Sequence, residues 1–318
     1  MHRAHRRFAG ALGMLLLAAL TLAGAPPAHG GQRLRVITTS TDLKALTEEV
    51  GGDRVEVESL TRGFQNQHGV EARPSFMLKL SRADLFVRIG LDHEPWIEPV
   101  MEGARNPRIL PGAPGHVEAW RGIELLEVPQ GRVDRSLGDI HSLGNTHIWL
   151  DPENAKIMAH NIAEGLKRVS PGDTATFEQN WQRLAHRVDA ALPGWLHKLA
   201  PFRGTKILTY HADLPYFARR FGLVAAGTVE PKPGIPPSPA YAGELVQRMR
   251  AEKIPLLLIV NYYDERLPRR IAEESGAKML IVPLSVGGAK GVDTYFALMD
   301  YLVNQVAGAL SGAAPGKS

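Results

Sequence analysis

Apolar positions along this chain switch between short unbroken runs and helical spacing, and the switches alternate in order. Leu34 to Thr38 reads as a strand, and Thr41 to Val50 as the helix that follows it. Val55 to Leu60 predicts a second strand. A polar loop then leads to Pro74-Ser75, where Ser75 is expected to cap a helix running to Arg82. Leu85 to Ile89 predicts a third strand, with a helix from about Glu94. Pro111 to Asn145 contains Gly and Pro, has little periodicity, and is expected to be irregular. Asp151-Pro152-Glu153 combines an N-cap acid, a proline in the first turn and a second acid on the helix dipole, so a helix is expected from there to about Val169. Ser170-Pro171-Gly172 breaks the pattern. Phe177, Trp181, Leu184, Val188 and Leu192 then predict one long helix over Thr174 to Leu199, with a kink expected at Pro193-Gly194. Beyond it the strands are Lys206 to Tyr210, Leu223 to Val229, Pro255 to Val260 and Lys278 to Val282. The helices are Asp213 to Phe221, Pro239 to Ala251, Leu267 to Ser275 and Thr294 to Leu310.

Alternation of this kind gives an α/β fold. The expected organisation is an N-terminal α/β lobe over 31–172, a linking helix over 173–200 and a C-terminal α/β lobe over 201–318. Neither a low-complexity tract nor a short internal repeat is evident in the sequence. Residues 1–30 stand apart. Arg3, Arg6 and Arg7 precede an apolar stretch from Phe8 to about Ala25, and small residues surround Ala28-His29-Gly30, which is the pattern of a cleaved secretory signal. The alternative is a membrane anchor, but the stretch is barely of spanning length and ends in Ala25-Pro26-Pro27. Export to a periplasm is therefore expected.

The chain contains no cysteine, which excludes disulfides and thiolate metal sites and leaves no lipidated cysteine, so a freely diffusing protein is expected. Its formal charge of +4, less the three arginines of the signal, leaves about +1 for the mature protein. That balance gives no reason to expect nucleic acid or an anionic membrane as partner.

The chemistry is carried by histidines in loops. Ligands of open α/β sheets bind beyond the carboxyl ends of the strands. His68 lies in the loop after the second strand, His147 just before the helix at Asp151, and His211 directly after the strand ending at Tyr210. Three neutral imidazoles suit Zn²⁺, whereas Mn²⁺ more often takes carboxylate oxygen. No two of them share a short motif, so spacing alone leaves open that each is a loop histidine bonded to nearby backbone. His160, His93, His116, His186 and His197 read as surface or satisfied core residues. His141 reads as a ligand or as an orienting residue. Glu153, Asp84 and Glu273-Glu274 read as caps or solvated faces. The motifs of phosphate loops, serine hydrolases and zinc proteases are absent.

These histidines carry a resemblance. Gln67-His68 with Pro74-Ser75, Ala83-Asp84-Leu85 with Gly90-Leu91 and Glu94-Pro95-Trp96, His147-Ile148-Trp149-Leu150-Asp151-Pro152, and Tyr210-His211 with Tyr216-Phe217 and Phe221-Gly222-Leu223 occur in an order that resembles the zinc/manganese solute-binding proteins of bacterial ABC importers, the cluster A-I type. The resemblance implies two α/β lobes bridged by one long helix, with a metal cleft between them that closes only slightly. It implies His68, His147 and His211 as metal ligands, and a histidine at the third place implies zinc rather than manganese. It also implies an importer permease, and through it an ATPase, as partners of a monomeric, non-enzymatic carrier. Many members add an Asp just past the last strand; here that place reads Pro283-Leu284-Ser285, so the fourth ligand is left among Asp293, His141 and water, with Glu230 and Asp264 as weaker candidates. A His- and Asp-rich loop found in many zinc members is missing from Pro111 to Asn145. Two rival readings are a zinc enzyme, which needs a general base beside the metal, and a surface adhesin on the same fold.

Overall fold

The computed structural model describes residues 33–130 and 141–313. The signal expected over residues 1–30 and the Asp139 carboxylate beside His141 lie outside them. From Arg33 on, the described residues form one compact unit.

Two four-stranded parallel sheets organise the chain. The first orders β2 (Val55–Ser59), β1 (Leu34–Thr38), β3 (Leu85–Arg88) and β4 (His116–Glu118). The second orders β6 (Val224–Thr228), β5 (Lys206–Thr209), β7 (Leu256–Val260) and β8 (Lys278–Val282). Parallel sheets are covered on both faces, so their central strands are buried on both sides. Accordingly β3 and β7 are buried at every residue, whereas edge strand β2, Val-Glu-Val-Glu-Ser, buries only its valines. The two sheets share one strand order, a repeat that no similarity of sequence announces.

Helices α1 (Thr41–Gly51), α2 (Pro74–Ser81), α3 (Ile97–Ala104) and α4 (Pro152–Val169) accompany the first sheet. Helices α6 (Pro215–Phe221), α7 (Pro239–Ala251), α8 (Arg266–Ser275) and α9 (Tyr295–Ala313) accompany the second. Between them α5 runs from Thr174 to Leu199 without interruption at Pro193. It buries Phe177, Leu184, Val188, Trp195 and Leu199, a stripe seven and four residues apart. That stripe packs on α1, α4 and α9, so the bridge belongs to both lobes.

The expected α/β fold of two lobes and one long helix is the observed one, and local expectations are revised in four places. Ser75 does not cap α2; Arg73 is the N-cap and bonds through no side chain, while Pro74 opens the helix. Glu94 is not helical. Gly90, Leu91 and Asp92 all take left-handed φ angles (84°, 59° and 59°) and fold Glu94 back into the core. Asp213 lies ahead of α6 rather than within it. Finally, the irregular stretch after Pro111 holds strand β4, whose three residues are too few to set up a period.

Candidate metal centre

The carboxyl ends of both sheets converge on one cluster. His68 comes from the loop after β2, His93 from the turn after β3, His147 from the turn before α4, and His211 and Asp213 from the segment after β5. Their potential ligand atoms form two groups, His68–His93–His147 and His147–His211–Asp213, each with all atoms within 4.8 Å of one another. His147 belongs to both. Its Nε2 stands 3.2 Å from His68 Nε2 and 3.5 Å from Asp213 Oδ1. Two ligands of a tetrahedral ion held at about 2.0–2.1 Å stand roughly 3.3–3.4 Å apart, so both separations match the edge of such a site.

Hydrogen bonds hold one nitrogen of each ring. His68 Nδ1 faces the His93 carbonyl at 3.0 Å and must donate to it. His147 Nδ1 faces Asn145 Oδ1 at 3.1 Å. The Asn145 amide is oriented by its nitrogen, which donates to Ala212 O and Glu127 Oε2, so its oxygen is the acceptor. His211 Nδ1 lies 2.8 Å from Glu230 Oε2 and donates to that carboxylate. All three rings therefore donate through Nδ1, the arrangement found when an outer oxygen orients a metal-binding imidazole.

His93 has the opposite tautomer. Gln67 Nε2 donates to Ser285 Oγ and Asp42 Oδ2, which leaves Gln67 Oε1 to accept from His93 Nε2 at 3.0 Å. His93 Nδ1 then accepts from Thr146 Oγ1 at 2.8 Å. With both nitrogens occupied this ring supports the cluster rather than offering a donor. Glu94 locks the left-handed turn behind it, accepting from Thr39 Oγ1, Ile89 N and Gly90 N. Two non-glycine residues in that conformation cost about 1–2 kcal/mol each, so the turn persists because these bonds hold it.

Burial, and then the neighbouring imidazoles, push His68, His93 and His147 well below the usual histidine range. Burial pushes Asp213 up to about 6, against the pull of His211, and pushes Asp42 to the same value. These three rings are thus favoured in their neutral form. A cavity of about 240 Å³, lined by Glu127, His141, Asn145, His147 and His211 among others, gives access to it.

The three histidines singled out from sequence all reach this cluster, with His68 and His211 in different donor groups that share His147. His141 lines the cavity, with its ring centroid 5.0 Å from that of His68, but it belongs to neither donor group. Asp293 is exposed and in neither group. Glu230 serves as the hydrogen-bond partner of His211, and Asp264 is exposed and paired with Arg266. Sequence reasoning missed Asp213; an acid two residues past a strand-ending histidine was the available signal.

Known proteins resemble this chain along most of its length. The manganese ABC transporter substrate-binding lipoprotein PsaA of Streptococcus pneumoniae is 24% identical over 316 residues, covering 95% of this chain and 98% of its own. The iron-binding protein YfeA of Yersinia pestis is 24% identical over 298 residues, covering 92% and 91%. The solute-binding protein FpvC of Pseudomonas aeruginosa, solved with Mn²⁺, superposes with a TM-score of 0.75 at 23% identity over 89% of this chain and all of that one. Residues 36–309 match the family described as ZnuA, zinc-uptake complex component A periplasmic. The chain belongs to that family, the metal-binding solute-binding proteins of ABC importers, which are carriers rather than enzymes.

Proposed function

We propose that this protein captures Zn²⁺ between its lobes through Nε2 of His68, His147 and His211, and hands it to an importer permease driven by an ATPase. The observation that carries the reading is the shared orientation of the three rings: each Nδ1 is held by an oxygen, the arrangement in which an imidazole meets an ion through Nε2. The lobes meet around the cluster, as capture between them requires. No group here is assigned a catalytic step; the carrier works as a monomer and binds without turnover. PsaA is named a lipoprotein, whereas these 318 residues hold no cysteine, and that supports a freely diffusing periplasmic carrier. Recovery of the protein in the soluble periplasmic fraction checks this point, and recovery with the membrane counts against it.

A manganese or iron carrier is the second reading, favoured by the buried Asp213 carboxylate beside the histidines and by what PsaA and YfeA are named for. Competition of metal-stripped protein with a chromophoric chelator separates the two. One tight zinc equivalent with weak manganese binding supports the zinc reading, equal or tighter manganese binding supports the second, and no tight binding of either overturns both. His211→Ala is expected to keep the fold and weaken zinc binding by about 100-fold or more; unchanged affinity removes His211 from the site.

A further inference from the structure

Three imidazole ligands fill three corners of a tetrahedral ion and bring no negative charge to it. Asp213 lies beside them, 1% exposed, with Oδ1 3.5 Å from His147 Nε2. That oxygen accepts no hydrogen bond. Buried carboxylate oxygens are held by donors or ions, because desolvating one without either costs several kcal/mol. The other acids around the cluster are occupied: Glu230 receives His211 Nδ1 and Gly234 N, Glu127 receives Asn145, and Asp42 receives Val286 N and Gln67. Among the described residues Asp213 is the acid whose buried oxygen lacks a donor.

Backbone geometry aims the group. Asp213 N donates to His211 O at 2.8 Å, and Thr209 Oγ1 donates to the same carbonyl at 2.5 Å. This tight turn at the end of β5 delivers His211 and Asp213 together, and Leu214 and Pro215, both buried, fix its far side. We infer that Asp213 Oδ1 is the fourth ligand, so that the ion sits among three imidazole nitrogens and one carboxylate oxygen. The inference rests on the metal-carrier reading and names the donor which that reading leaves open. A carboxylate also offsets one of the two charges that a divalent ion brings into a buried site. It gives the site oxygen character, which harder ions such as Mn²⁺ need more than Zn²⁺ does.

The test compares the mature wild-type chain with Asp213→Asn and Asp213→Ala, each stripped of metal. Zinc and manganese affinities are read by chelator competition, and thermal unfolding is read without metal. Asp213→Asn is expected to weaken zinc binding by about 100-fold, and manganese binding by more. The metal-free Tm is expected to stay level or rise, because Oδ1 has no hydrogen bond to lose; a merely structural aspartate would lower it. Difference infrared spectra of the wild type give a second readout: zinc should shift a carboxylate stretching band, and Asp213→Asn should abolish that shift. If the wild type takes up one zinc equivalent while both variants bind it equally tightly, or no carboxylate band moves, the inference is overturned and the carrier reading stands. If the wild type itself binds neither ion, the carrier reading falls and the inference falls with it.

Discussion

Glu230 and Asn145 act on the site only through the rings they hold. Glu230 fixes the tautomer of His211 and raises its basicity, so Glu230→Ala is expected to weaken zinc binding by about 10–100-fold, with Glu230→Gln, still an acceptor, recovering part of the loss. Chelator competition on the two variants checks this, and equal affinities would mean that the bond at 2.8 Å orients nothing. Protonation acts on the same atoms with two signs. His68, His93 and His147 resist protons in the folded state but take them up near pH 6.5 when unfolded, so their contribution to metal-free stability is intact above about pH 6.5 and eroded as pH falls below it. Asp42 and Asp213 have the opposite sign. Raised to about 6 from 3.8, each favours the folded state as pH falls between those values. The histidine loss therefore begins at higher pH and involves three groups against two. The metal-free Tm is expected to fall between about pH 7 and 6 and to flatten toward pH 4.5. Stabilisation by zinc, which needs deprotonated donors, should shrink throughout that range. Thermal melts with and without zinc at stepped pH check both slopes, and a metal-free Tm that rises on acidification would contradict the histidine shifts.

At the scale of elements, the start of α4 does most to place His147. Asp151 Oδ1 caps the helix by accepting from Glu153 N, and both its oxygens accept from Arg220 of α6, at 2.6 and 2.9 Å. Asp151→Ala removes a cap and leaves Arg220 without its partner, for an expected loss of about 2–4 kcal/mol. For a unit of this size that is a fall in Tm of about 3–7 °C, readable by thermal unfolding. Zinc affinity should fall as well, since His147 lies within the turn that Asp151 closes. This element was legible in the sequence because capping is local: an acid, a proline and another acid announce a helix start wherever they fall. A continuous apolar run announced β7 for the same reason. Three-residue β4 was invisible, and so was the inward fold of Glu94, which a left-handed turn produces and contacts distant in sequence maintain. Loop position and the family resemblance picked out His68, His147 and His211. No local rule distinguishes their tautomer from that of His93, because Gln67, Asn145 and Glu230 decide it from elsewhere in the chain. Asp213 was read as part of a helix for a related reason, since helical spacing after it concealed the tight turn that sets it beside His211.

In the whole molecule, the lobes are tied together by more than the α5 bridge. Asp42 Oδ1 accepts from Val286 N at 2.9 Å, Gln67 Nε2 donates to Ser285 Oγ at 3.0 Å, and Trp149 Nε1 donates to Leu284 O at 2.9 Å. Tyr216 hydroxyl donates to Asn145 O, and Asn145 Nδ2 donates to Ala212 O. These bonds join elements of the first lobe to elements of the second around the metal cluster, so protein groups themselves hold the lobes together there. A ligand shifts a conformational equilibrium only by its preference for one state, and a state already populated leaves little to shift. Small-angle scattering of the wild type is therefore expected to give nearly the same radius of gyration with and without zinc. Asp42→Ala removes the acceptor for Val286 N and loosens Gln67, leaving buried donors that cost about 1–3 kcal/mol each. Opening then becomes populated. Apparent zinc affinity falls by the fraction still closed, about 10-fold for a competent state reduced to one molecule in ten. In that variant, unlike the wild type, zinc should contract the molecule measurably, because binding now restores what the cross-ties supplied. A large contraction of the wild type on adding zinc would mean instead that capture itself closes the lobes and that the ties follow the ion.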